Sequence, residues 1–126
     1  MSRGIVLFAH GSRDSGWSKP FEALASSIKA RTPDAEVVIA FLETMEPSLE
    51  DAVHVLTRKG ISVIRFVPVF LAAGSHLRED LPKLLARVRA SHPGVDISAD
   101  PPIGEAPAII EAIAAFISSP AGRSSP

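Results

Sequence analysis

His10, Glu43 and His76 stand at equal intervals along this chain and carry side chains that bind divalent metals and move protons. Neutral imidazole nitrogens and one carboxylate oxygen suit a borderline divalent ion, and three protein ligands leave coordination positions open for exchange or reaction. Each residue alone also has an ordinary reading. A histidine at a chain reversal can serve as a helix cap or structural hydrogen-bonder, and a loop glutamate is commonly a solvated charge. Their joint placement is what points to metal chemistry.

Each of the three follows an apolar run. Residues 5–9, Ile-Val-Leu-Phe-Ala, lead into His10-Gly11-Ser12, and residues 36–42 lead into Glu43. Residues 61–67 form a third run, which reaches Gly74-Ser75 and His76 after Pro68 and the apolar residues 69–73. The unbroken run at residues 5–9 fits a strand buried on both faces of a parallel sheet. Pro68 lacks a ladder donor and reads as a bend, sending residues 69–71 over the sheet edge.

Helical spacing fills the intervals. Phe21, Leu24, Ala25 and Ile28 mark a first helix, with Ser18 as cap, Pro20 in its first turn and Thr32-Pro33 closing it. Pro47 opens a second, with Leu49, Ala52, Val53 and Leu56 inward and Gly60 as its stop. A third is predicted from a cap at Asp80, with Pro82 in its first turn, to bury Leu81, Leu84, Leu85 and Val88 and end near Ser91-His92-Pro93-Gly94. Residues 95–98 make a short fourth strand. The last helix, residues 106–117, is apolar around most of its circumference, so it is either deeply packed or meets another subunit. Residues 118–126 read as a disordered polar tail.

This alternation predicts an α/β fold: a flavodoxin-like three-layer α/β/α sandwich with a four-stranded parallel sheet in the order 2-1-3-4, forming one domain over residues 1–117. Parallel strands place their carboxyl ends along one edge, where ligands bind at the reversal of strand order. His10, Glu43 and His76 all fall on that edge.

Composition removes other classes. The chain has 126 residues, the size of one domain, and a net charge of −1 without a basic stripe, so nucleic acid is not an expected partner. It has no cysteine, so any metal is held by nitrogen and oxygen. The apolar runs reach about eight residues against the roughly 20 of a spanning helix, which predicts no membrane partner and a cytoplasmic protein. There is no Walker loop and no Gly-x-Ser-x-Gly elbow. Ala9 stands where a histidine-type phosphatase would place an arginine before its histidine. His54 lies off the apolar face of its helix, and His92 suits a helix's last turn. Trp17 is either an anchor for the first loop or a flat wall for a planar ligand.

Taken in order, His10-Gly11-Ser12-Arg13, Phe41-Leu42-Glu43 with Glu46-Pro47-Ser48-Leu49, and Pro68-Val69-Phe70-Leu71 through Gly74, His76, Asp80 and Pro82 resemble the CbiX family. These are the short-form class II tetrapyrrole chelatases. The resemblance runs from about Gly4 to Ile117. It implies a sirohydrochlorin cobaltochelatase of cobalamin biosynthesis, working as a homodimer of half-units, with His10, Glu43 and His76 at the metal-binding and catalytic positions. The divalent metal is then a substrate, Co²⁺ being favoured over Fe²⁺ or Ni²⁺, and no organic cofactor is implied. The alternatives are a ferrochelatase or nickelochelatase, or a non-catalytic carrier of metal or tetrapyrrole. Glu43 or His10 would accept a pyrrole proton. Ser12, Arg13, Ser75 and Arg78 are candidate contacts for peripheral carboxylates, and the apolar residues 69–71 for the macrocycle's flat surface. The chain lacks the histidine-rich tract of some relatives.

Overall fold

The first apolar run becomes β1 (Arg3–Ala9), buried from Gly4 to Ala9, and it lies inside the sheet with a neighbour on each side. The computed structural model describes residues 2–120. After β1 come α1 (Lys19–Arg31), β2 (Ala35–Phe41), α2 (Leu49–Arg58), β3 (Val63–Pro68), α3 (Ser75–Ser91), β4 (Asp96–Ala99), a 3-10 turn (Ile103–Glu105) and α4 (Pro107–Ser118). The sheet is parallel in the order β2-β1-β3-β4, with Ala9 beside Phe41 and Phe8 beside Pro68. The expected flavodoxin-like layering is present: α2 and α3 cover one face of the sheet, and α1 covers the other.

Alternation along β1 separates two cores. Val6 and Phe8 point into the larger one with Phe66, Ile64, Leu56 and Val53, while Ile5 and Leu7 point to the α1 side. Phe8 and Phe66 are fully buried with ring centroids 5.1 Å apart. Truncating either to alanine would cost about 3–5 kcal/mol. α2 starts at Leu49, two residues after Pro47, because the Ser48 hydroxyl accepts the Asp51 N–H at 3.2 Å. Ser18 holds the corresponding place before α1 without capping it; its hydroxyl donates to Glu22 Oε2 at 2.8 Å instead.

α3 differs from its sequence-based outline. It begins at Ser75 with Gly74 as N-cap, so Asp80 is not a cap and Pro82 lies inside the helix. An interior proline costs about 3 kcal/mol. Starting the helix earlier buries Leu77 on the same face as Leu81, Leu85 and Val88, each burial being worth about 1.5–3 kcal/mol, and leaves the Pro82 ring at the surface. His76 therefore sits in a helical first turn, not in a loop.

Pro68 is the last residue of β3. The N–H and C=O of one strand residue point to the same neighbour, and successive residues alternate. The Val69 N–H donates to the Phe8 carbonyl at 2.8 Å, so Val69 faces β1. Phe66, whose carbonyl accepts the Asp100 N–H at 2.9 Å, faces β4, and so does Pro68. The β3 and β4 pairing stops at Phe66 and Ala99, so the missing N–H falls where no ladder bond is required. β3 ends at Pro68, the Val69 bond keeps the chain beside β1, and Phe70 is buried against Phe8 rather than projecting as a lip; only Leu71, 66% exposed, does so.

α4 is not deeply packed. It has no buried residue, and Ile110, Phe116 and Ile117 are exposed. Ser118 to Pro120 are exposed, and the rest of the expected disordered tail, residues 121–126, lies outside the described residues.

Candidate active site

The loop after β1 and the loop after β2 are joined by their backbones. The Leu42 N–H donates to the Ala9 carbonyl at 2.8 Å and the Glu43 N–H to the His10 carbonyl at 3.1 Å, carrying the ladder past both strand ends. The β2 loop then folds back: Met45 N–H to Glu43 carbonyl and Phe41 N–H to Pro47 carbonyl, both at 2.8 Å. Thr44 takes a left-handed φ of 72° to make this reversal. Gly11 has φ 93°, and a Cβ there would overlap the carbonyl oxygen of Glu43. Only glycine allows the two loops to approach this closely.

His10 and Glu43 are thus placed side by side at the carboxyl edge, and α3 brings His76 to that edge in its first turn. All three side chains are exposed. Among the described residues, however, no three His, Cys, Asp or Glu side chains converge closely enough to hold a metal ion. The structure brings the three to one edge without closing them into a coordination set. The His10 ring rests on Phe70, centroids 4.6 Å apart and tilted by 39°. Imidazole and carboxylate are side-chain types that bind borderline divalent ions.

The candidate carboxylate contacts divide. Ser12 and Arg13 lie in the loop directly after His10, where the Ser12 hydroxyl accepts the Asp14 N–H at 3.0 Å, and Ser75 opens α3 beside His76. Arg78 is turned away from His76. It lines a groove between α3 and the 3-10 turn together with Asp100 and Glu105. Helix phase explains this, since positions two apart point to nearly opposite sides, whereas Ser75, three positions before Arg78, shares its side of the helix. Trp17 is an anchor: its ring packs on Phe21 at 4.8 Å and lies 6.4 Å from Phe41. His54 is exposed on α2, and the His92 ring nitrogen is 3.1 Å from the Val88 carbonyl at the end of α3.

Lys83 and Arg87 escaped the sequence reading. They line a groove of about 450 Å³ between α2 and α3, whose apolar floor includes Leu42 and Leu77, the neighbours of Glu43 and His76. Their spacing from His76 was the available signal, because His76, Lys83 and Arg87 fall on one stripe of a helix once the helix is known to begin at Ser75. Asp80 and Glu50 also line this groove, so its charges are mixed.

Comparison with known proteins agrees with this architecture. The CbiX family model matches residues 4–119. The chain is 30% identical over 113 residues to the sirohydrochlorin ferrochelatase of Bacillus subtilis (strain 168), a match covering 90% of this chain and 43% of that protein. It is 35% identical over 83 residues to the sirohydrochlorin cobaltochelatase of Methanosarcina acetivorans, covering 66% of this chain and 64% of the relative. The matches therefore cover less than two thirds of the length of either relative, 43% and 64%. A crystal structure of a CbiX protein from Marinobacter aquaeolei VT8 superimposes with a TM-score of 0.79 at 40% identity, covering 91% of this chain and 93% of the other. Since the matched span takes in every strand and helix from β1 to α4, and a solved member shares the fold over almost its whole length, the chain belongs to the CbiX family.

Proposed function

We propose that this chain is a tetrapyrrole chelatase that inserts a divalent metal into sirohydrochlorin, with Co²⁺ as the favoured metal and cobalamin biosynthesis as the setting. The observation that carries this reading is the backbone clamp that holds His10 and Glu43 together on the edge reached by His76. Cobaltochelatase is the function named for the Methanosarcina relative, while the Bacillus relative is named a ferrochelatase, so Fe²⁺ is the second metal to test.

Insertion exchanges two pyrrole N–H protons for one divalent ion, so the site must hold a partly desolvated metal and accept protons. In this reading the neutral nitrogens of His10 and His76 hold the ion, and Glu43 completes its coordination or takes a pyrrole proton, with His10 as the other proton acceptor. Leu71 offers an apolar contact to the ring, and Ser12, Arg13, Ser75 and the groove cations Lys83 and Arg87 offer partners to its carboxylates. Arg78, on the other side of α3, is the least favoured of these contacts. A polycarboxylate substrate and a diffusible ion suit a cytoplasmic enzyme. Among the described residues no helix is long and apolar enough to cross a membrane.

The reading includes a homodimer joined through α4. Phe116 and Ile117 are 66% and 73% exposed, and covering such side chains favours association. An edge that leaves its ligands unclosed also gives a second subunit a role in enclosing the macrocycle.

The test is an anaerobic absorbance assay of sirohydrochlorin with Co²⁺, Fe²⁺ or Ni²⁺, on the protein and on His10→Ala and His76→Ala. Multiple turnovers above the spontaneous rate, lost in both variants, are expected. Traces that match the enzyme-free control with every metal would sink the chelatase reading and favour a carrier, which separate titrations of metal and tetrapyrrole would reveal.

A further inference from the structure

We propose that Phe70 and Gly104 act together as a positioning device for His10, so that the 3-10 turn after β4 sets the orientation of an imidazole on the opposite side of β3. The inference rests on the reading of His10 as a metal ligand or proton acceptor. It assigns Phe70 and Gly104 no contact with the substrate.

His10 is exposed, and its ring contact is with Phe70. Two free side-chain torsions would spread an exposed imidazole over several rotamers. The contact that limits it is the Phe70 ring, 4.6 Å away between centroids and tilted by 39°. Phe70 is itself held. It is 5% exposed, and it also meets the fully buried Phe8 edge-on at 6.0 Å and 67°. An aromatic ring backed by a second ring makes a fixed wall, whereas an aliphatic side chain of similar volume would fill the space without defining a plane.

The backbone carrying this wall is fixed from the far side. The Gly104 N–H donates to the Phe70 carbonyl at 3.0 Å. A Cβ on Gly104 would overlap the carbonyl oxygen, carbonyl carbon and Cα of Leu71, all backbone atoms, so the turn can dock there only as glycine. The adjoining Asp100 N–H bond to the Phe66 carbonyl, at 2.9 Å, leads the chain from β4 into this contact. Thus Gly104 sets the backbone at residues 70 and 71, Phe70 hangs from that backbone, and His10 lies on Phe70.

The experiment compares the protein with Phe70→Leu, Phe70→Tyr and Gly104→Ala, with His10→Ala as the reference for assigning the His10 signals. Proton NMR follows the His10 ring signals, assigned by their loss in His10→Ala, and the metal-insertion assay gives kcat and KM. In the unmodified protein the His10 ring protons are expected to show a cross-relaxation peak to Phe70 and a ring-current shift. Phe70→Leu should abolish that shift and lower kcat/KM for the metal about two- to tenfold, the range an aromatic pair's coupling converts to. Phe70→Tyr, which keeps the ring, should restore both, and Gly104→Ala should reproduce the leucine phenotype.

Absence of the cross-peak and shift in the unmodified protein overturns the inference without any variant having to fold. So does a leucine variant no different from the tyrosine one. If His10→Ala leaves turnover unchanged, the reading of the site itself is wrong; the NMR contact then remains as a structural feature without a catalytic role, and the positioning inference falls with that reading.

Discussion

The Glu43 N–H donates to the carbonyl oxygen of His10 at 3.1 Å, joining two of the three candidate ligands through their backbones rather than their side chains. Gly11 makes this possible through its φ of 93° and its lack of a Cβ. Gly11→Ala should therefore cost about 2 kcal/mol or more of stability and at least tenfold in turnover. Urea denaturation and the insertion assay check the pair together. A variant equal to the parent in both would mean that the loops are not this close.

Thr44 is a β-branched residue at φ 72°, a conformation that costs an L-residue about 1–2 kcal/mol. Thr44→Gly should relieve that strain, and after the extra chain entropy of glycine the net gain is about 0.5–1 kcal/mol. Thermal unfolding should show the midpoint rising by about 2–6 °C. A lower midpoint would show that the threonine side chain contributes more than its backbone costs.

Acid should selectively remove one surface contact. Lys59 Nζ donates to Glu36 Oε2 at 2.8 Å, and this hydrogen bond, helped by the charge of Lys59, holds the Glu36 carboxyl below its ordinary pKa. A carboxyl depressed in the folded state stabilises the fold above its unfolded pKa of about 4, and that contribution fades as pH falls through the lower folded value. Both side chains are more than a third exposed, 52% and 37%, so solvent screening limits the pair to about 0.5 kcal/mol. Urea midpoints of Lys59→Gln and the parent should differ slightly at neutral pH and converge in acid. A gap that survives below the depressed pKa would have another origin.

The groove between α2 and α3 makes a prediction about the substrate. If Lys83 and Arg87 receive peripheral carboxylates, Lys83→Glu should raise the KM for sirohydrochlorin about five- to tenfold and leave the KM for the metal unchanged. Steady-state kinetics with each substrate varied in turn separates the two. Equal KM values for the tetrapyrrole would remove the groove from the binding site.

Phe116 and Ile117 test the proposed dimer. Sedimentation should find the unmodified chain as a dimer and the Phe116→Glu, Ile117→Glu double variant as a monomer, because two buried carboxylates would oppose association. A monomeric parent, or a variant that still dimerises, would exclude α4 as the interface.

The sheet order, the strand-helix alternation and the inward face of α2 were legible in the chain because they arise from periods and stop signals among neighbouring residues. The same holds for the edge shared by His10, Glu43 and His76, since parallel strands necessarily end on one side. Where α3 begins was not legible. Asp80 and Pro82 are strong local start signals, yet burial of Leu77 outweighs them, and that burial exists only once α3 lies on the sheet. Helix phase then turned Arg78 away and brought Lys83 and Arg87 onto the side of His76. Phe70 looked like a surface lip for a comparable reason: its apolar character is evident, but the strand register that puts it between Phe8 and His10 is not. Gly104 carried no local sign at all of its contact with Leu71. Residue types and their spacing determined which chemistry this protein has available and on which edge it sits; contacts between distant segments decided how those side chains are oriented, because burial and steric overlap act between residues that the chain itself keeps far apart.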